Sequence, residues 1–173
     1  HYVNLKLKTM GHHITAIILK GNYDEKKAES FDLFGKELGF GLTLFHIDHY
    51  YSACWQYKLG TAGMLELFNI NSSIFPCEIA LAELMKSISD KAEPQYAIIQ
   101  TDYFGGLGEQ YANVFKYKTN DNPRARTINE ALYHLGVRTK SELDEFDMVG
   151  LGGIRSQPEF LEKYSDLADE YGV

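Results

Sequence analysis

Hydrophobic and polar positions change period several times along the chain, and each change marks an element. Val3, Leu5 and Leu7 alternate with Asn4, Lys6 and Lys8, the two-residue period of a half-buried strand. Residues 1–9 are therefore expected to form an edge strand or an N-terminal extension ahead of Met10. The β-branched run at 13–19 predicts a buried strand. A turn around Gly21 and Asp24 follows, then a helix over 25–38 with Ala28, Phe31, Phe34 and Leu38 on one face and Gly39 at its end. Strands are expected at 42–48 and 64–70, separated by an aromatic connection that contains Tyr50, Tyr51, Trp55 and Tyr57.

Ser73 and Pro76 predict the start of a second helix, with Cys77, Leu81, Leu84 and Ile88 on its buried stripe. Strands at 96–103 and 111–117 flank a glycine-rich loop and form a hairpin. Thr127 and Glu130 have the spacing of a capping box for a helix that Gly136 closes. Ser156 and Glu159 repeat that spacing before a last helix whose Phe160, Tyr164, Leu167 and Tyr171 share a face. The expected class is α+β. Its first six elements follow the ferredoxin-like βαββαβ order, extended by a hairpin strand and C-terminal helices. Right-handed crossovers place the two early helices on one sheet face and leave the other face for the C-terminal helices.

Composition narrows the setting. A length of 173 residues with 45% hydrophobic and 24% charged positions suits one domain spanning 1–173, and no repeat or linker divides it. No apolar run approaches the roughly 20 residues of a membrane helix, and no secretion signal opens the chain, so no membrane association is expected. Cys54 and Cys77 lack any metal-ligand spacing. As sparse buried thiols they point to a reducing, cytoplasmic compartment.

The net charge of −7 is localised: nine acids between 141 and 173 face only Arg155 and Lys163. These acidic C-terminal helices repel phosphate backbones, which argues against nucleic acid, and offer a surface to a basic protein partner.

Candidate chemistry is sparse. His46, Asp48 and His49 crowd the end of the second predicted strand, where a histidine and a carboxylate two apart share a face and could serve a metal or proton transfer. A continuing strand would send His49 to the opposite face, and no third ligand has recognisable spacing, so neither metal nor cofactor is expected. His12 and His13 precede the first strand, and His13 would approach His46 if the first two strands were neighbours. Asp102, Glu109 and Gln110 flank three glycines in a loop without the strand-to-helix context of a phosphate cradle. They are candidate ligand-binding residues, as is Arg155 after the second glycine cluster. The nucleophile elbow of the α/β-hydrolases is missing.

The segments TDYFGGLGEQ, INEALYHLGV and DEFDMVGLGGIR, within 96–155, together resemble a group of uncharacterised bacterial proteins. That group pairs a YFGGxGxQ-like hairpin with an INxAL…LGV helix and a DEFDxxGLG ending. The resemblance implies a bacterial cytoplasmic origin and assigns no catalytic residue. The expected function is a non-enzymatic binding or protein-interaction domain of the immunity-protein type. The alternative is a small metal-assisted hydrolase using His46, Asp48 and His49 with Asp102 or Glu109.

Overall fold

Alternation decides the architecture. In β1 (His12–Lys20), Ile17 and Leu19 point to one side while Ile14, Ala16 and Ile18 point to the other, and all are buried. A strand apolar on both sides must be covered on both sides, and β1 takes the middle of the sheet. The computed structural model describes residues 11–105, 107–140 and 142–173, so the alternating stretch at 1–9 lies outside the described residues. The remaining strands are β2 (Lys36–Gly39), β3 (Leu42–His46), β4 (Gln95–Phe104), β5 (Leu107–Lys116) and β6 (Thr119–Asn120). They form one sheet in the order β2-β3-β1-β4-β5-β6, with every neighbouring pair antiparallel.

Six α-helices occur among the described residues: α1 (Glu25–Ser30), α2 (His49–Leu59), α3 (Ala80–Ile88), α4 (Ile128–His134), α5 (Glu145–Met148) and α6 (Lys163–Tyr171). Two cores result. On the first face Ile17, Leu19, Phe45, Tyr96, Ile98 and Phe115 pack against α1, α2, α3 and α6. On the second, Ile14, Ala16, Ile18, Ala97, Ile99 and Val114 pack against α4 and α5. The protein is thus a mixed α+β fold, and none of its described helices is long and apolar enough to cross a membrane.

The C-terminal helices do not share one face as expected. The chain leaves α5 on the second face, rounds the open end of the sheet through Arg155 and Gln157, and delivers α6 to the first. Beyond the end of β3 this segment substitutes for a strand. The His13 amide donates to the Arg155 carbonyl (2.8 Å), the Thr15 amide to Gln157 Oε1 (3.1 Å), and Gln157 Nε2 to the Ile47 carbonyl (2.6 Å). Tyr164 then fixes α6, donating to Asp32 (2.6 Å) while Lys163 pairs with the same carboxylate at 2.7 Å. The acids of 141–173 are consequently divided between opposite sides of the sheet.

Four other expectations change. The helix over 25–38 stops at Ser30, because Asp32 takes a left-handed conformation (φ 56°) and Leu38 enters β2. A Cβ on Gly35 would lie 2.1 Å from the Tyr23 hydroxyl, so the chain approaches Tyr23 closely there. The aromatic connection after β3 is helix α2, capped by Asp48, whose carboxylate accepts from the Tyr51 amide at 2.7 Å. The strand expected at 64–70 is absent from the sheet. That stretch makes an isolated bridge from Met64 to Glu78 and is clamped by Asn113, which exchanges two hydrogen bonds with the Phe68 backbone. Cys77 precedes α3 rather than lying on it.

The capping box at Thr127 and Glu130 is present. The one expected at Ser156 and Glu159 is not: Pro158 leads into a 3-10 turn at Glu159–Glu162, with no side-chain cap, before α6 begins. The face of α6 nevertheless carries Tyr164, Leu167 and Tyr171, packed on the first core together with Phe160.

Candidate functional site

Cross-strand register places the first face in rows. Leu19, Tyr96 and Phe115 form one row, and Ile17, Ile98 and Asn113 the next. Two residues further on, the chemistry changes. Thr15, Gln100 and Tyr111 make a polar row, His13, Asp102 and Glu109 another, and Phe104 and Leu107 end the hairpin. Among the described residues, no helix continues over these last rows. The two polar rows form the floor of a cleft of about 470 Å³ whose other walls are Asp48 and His49 at the start of α2, the 71–74 segment and Gln157.

Four residues nominated from sequence therefore converge here: Asp48, His49, Asp102 and Glu109. His13 Nδ1 stands 2.9 Å from Asp102 Oδ1, an ion pair when the imidazole is protonated. Tyr111 donates through its hydroxyl to Glu109 and lies 3.1 Å from the Asn71 carbonyl. The hydrogen bond to Glu109, with a small contribution from burial, pushes the Tyr111 phenol up to about 12. Burial raises the Asp48 carboxyl, against the opposing pull of the Tyr51 amide. Gln100 Nε2 reaches Thr15 Oγ1 (3.2 Å) and the Ile74 carbonyl (3.4 Å), tying the floor to the 71–74 wall. Among the described residues, the cleft is thus lined by three carboxylates and two histidines, with no lysine or arginine.

The other nominated residues lie elsewhere. His46 is opposite Ala16 and donates from Nδ1 to Gln157 Oε1 at 3.0 Å. Burial lowers its affinity for a proton. Gln110 points to the second face and accepts from the Ile128 amide at the start of α4 (3.0 Å). Arg155 spends its guanidinium on the Gly11 carbonyl, at 2.8 and 3.1 Å. His13 meets Asp102 rather than His46, because β3 pairs with β1 only as far as Ala16. The glycine-rich loop is also shorter than expected, since β4 and β5 run to Phe104 and from Leu107. Among the described residues, no three His, Cys, Asp or Glu side chains are grouped so as to hold a metal ion.

Sequence reading missed Thr15, Gln100, Tyr111 and Gln157. The signal was present in the parity of three strands: Ile17 gives way to Thr15 and His13, Ile98 to Gln100 and Asp102, and Phe115 to Tyr111 and Glu109.

Compared with protein-family models, with curated proteins and with solved structures, the chain matches none.

A larger groove of about 580 Å³ runs along α4, lined by residues that include Arg124, Arg138, Glu130 and Glu145. Its charges balance, and Arg138 is already committed. It stacks 3.9 Å above the Tyr133 ring and donates to the Tyr133 and Val137 carbonyls at 2.8 and 2.9 Å. Among its described residues the cleft has what the groove lacks: carboxylates without a lysine or arginine, and unfilled acceptors.

Proposed function

We propose that this protein is a non-enzymatic binding domain that recognises a basic protein partner, and that the cleft is its recognition site. The observation carrying this reading is the lining of Asp48, Asp102 and Glu109, with no lysine or arginine among the described residues that line the cleft. Carboxylates gathered between low-dielectric walls concentrate field lines and attract cations. The same charge opposes a nucleic-acid backbone. The acids of α5 and α6 add to the overall negative field, but they lie on opposite sides of the sheet. An immunity-type role, in which an acidic domain neutralises a basic toxin, fits this chemistry.

The ferredoxin-like reading of the scaffold belongs with this proposal. Its support is the order β2-β3-β1-β4 with all neighbours antiparallel, which makes β1 and β2 parallel strands split by β3. Two free, buried cysteines support a reducing, cytoplasmic setting.

Calorimetric titration with tetra-arginine and tetra-glutamate peptides tests the function. The arginine peptide should bind, and Asp102→Asn with Glu109→Gln should weaken it at least tenfold. Equal binding by wild type and double variant removes the cleft from the account.

The second reading, a small metal-assisted hydrolase, is favoured by one observation, the convergence of Asp48, His49, Asp102 and Glu109. A metal at 100 times its dissociation constant stabilises a native protein by about 2.7 kcal/mol. The binding-domain reading expects no such rise in melting temperature with zinc or manganese. A rise lost in His49→Ala would favour the hydrolase.

A further inference from the structure

Resting on the reading of the cleft as a cation site, we propose that its occupant is an arginine side chain of the partner, with a large apolar residue beside that arginine seated on Phe104 and Leu107. The first support is a set of unused acceptors. Asp102 Oδ1 faces His13, and Glu109 Oε2 receives the Tyr111 hydroxyl. Asp102 Oδ2 and Glu109 Oε1 accept no hydrogen bond among the described residues.

Gln100 supplies a third acceptor, independent of the acids. It is 4% exposed, yet it lines the cleft. Its Nε2 is engaged by the Ile74 carbonyl, which only accepts, so the orientation of the amide is determined and the nitrogen cannot exchange places with the oxygen. Its Oε1 accepts nothing among the described residues. That oxygen belongs to the wall of an open cleft, where a donor from a ligand can reach it.

These three oxygens come from adjacent positions on one face. Asp102 and Glu109 are directly opposed across β4 and β5, and Gln100 lies two residues from Asp102. Opposed side chains stand about 5 Å apart and i, i+2 neighbours about 7 Å. One planar guanidinium, with five N–H groups in a fixed fork, can address all three; a compact ammonium addresses fewer at once.

The second support lies one row outward. Phe104 and Leu107 oppose each other on the same face, immediately beyond Asp102 and Glu109, and are 78% and 82% exposed. Two large apolar side chains at the lip of a charged cleft match a partner segment with an apolar residue next to its basic one. The lip removes apolar surface from water while the floor provides the hydrogen bonds, the division expected of a recognition site.

The test uses the full chain and blocked dipeptides, with binding followed by amide shifts. The probes are acetyl-Leu-Arg-amide and acetyl-Arg-Leu-amide, their glycine counterparts acetyl-Gly-Arg-amide and acetyl-Arg-Gly-amide, and acetyl-Leu-Lys-amide. The tighter leucine–arginine order should bind about tenfold more strongly than its glycine counterpart, the effect of partly burying one leucine side chain. It should also exceed the lysine peptide. Phe104→Ser with Leu107→Ser, both changes at exposed positions, should abolish the leucine advantage and leave the glycine–arginine peptides unchanged. If glycine and leucine peptides bind alike, the lip has no role and the cleft reading stands. If lysine binds as well as arginine, the choice of a guanidinium is wrong. If no arginine peptide binds, this proposal and the cleft reading fall together.

Discussion

The two halves of the first sheet face differ in what they contribute, although the same three strands build both. In the covered half, Ile17, Ile98, Leu19, Tyr96 and Phe115 are fully buried beneath the helices. In the open half, four residues away along β4, Asp102 is exposed and lines a cleft. Continuous burial provides stability; its interruption leaves polar groups available for a ligand. The paired histidines at the start of β1 repeat the contrast across the sheet. His12 is buried on the second face, where Nε2 meets the Leu151 carbonyl at 2.9 Å and Nδ1 meets Thr101 Oγ1 at 2.6 Å. A carbonyl only accepts, so Nε2 carries a proton, and burial, which disfavours the charged ring, leaves Nδ1 to accept from the Thr101 hydroxyl. His13, its neighbour, faces a carboxylate in the cleft.

The largest expected effect contrasts the halves directly. Ile98→Ala should cost about 2–5 kcal/mol, the range for emptying a packed core position. Asp102→Ala, on the same strand and face, should stay within about 0.5 kcal/mol. Denaturant unfolding of both variants measures the difference, and similar losses would show that the open half also serves as scaffold.

A smaller effect is expected at the hairpin. A Cβ on Gly108 would fall 2.1 Å from the Asp102 carbonyl oxygen, a backbone atom that cannot swing aside. Gly108→Ala should therefore cost about 1–3 kcal/mol, as overpacking does, and should weaken cationic peptides by shifting Asp102. Wild-type affinity in this variant would mean that the cleft tolerates displacement of its floor.

Legibility from the sequence followed the same division. β1 and β4 were recognisable because β-branched apolar runs have few alternative conformations. The capping box at Thr127 was recognisable because its two hydrogen bonds are local. Helix α2 was not: only Tyr51, Ser52 and Cys54 are buried on it, and aromatic residues spread around the rest obscure any stripe. Asp48, conspicuous as a possible ligand, turned out to cap that helix. The cleft itself required long-range register, since nothing local links His13 to Asp102 or Thr15 to Gln157.

The smallest expected effect is a pH dependence that comes from the buried His12. Burial lowers the proton affinity of His12, against a raising contribution from the Leu151 carbonyl. Above the ordinary histidine value near 6.5, both folded and unfolded states leave it neutral. Below that value the unfolded chain takes up the proton first, so stability falls with pH until the folded ring also titrates. His46, lowered by burial as well, acts in the same direction. Unfolding measured from pH 8 to 5 should show this acid loss, and His12→Gln should flatten it. An unchanged slope in the variant would contradict a neutral, buried His12.

The central claim is that recognition belongs to the open half of the first face rather than to the acidic C-terminal helices. Amide shift mapping of the wild-type chain with tetra-arginine peptide tests it most directly. Shifts should concentrate at His13, Thr15, His49, the 71–74 segment, Gln100, Asp102, Glu109 and Tyr111. Shifts confined to α5 and α6, with the cleft silent, would contradict the account.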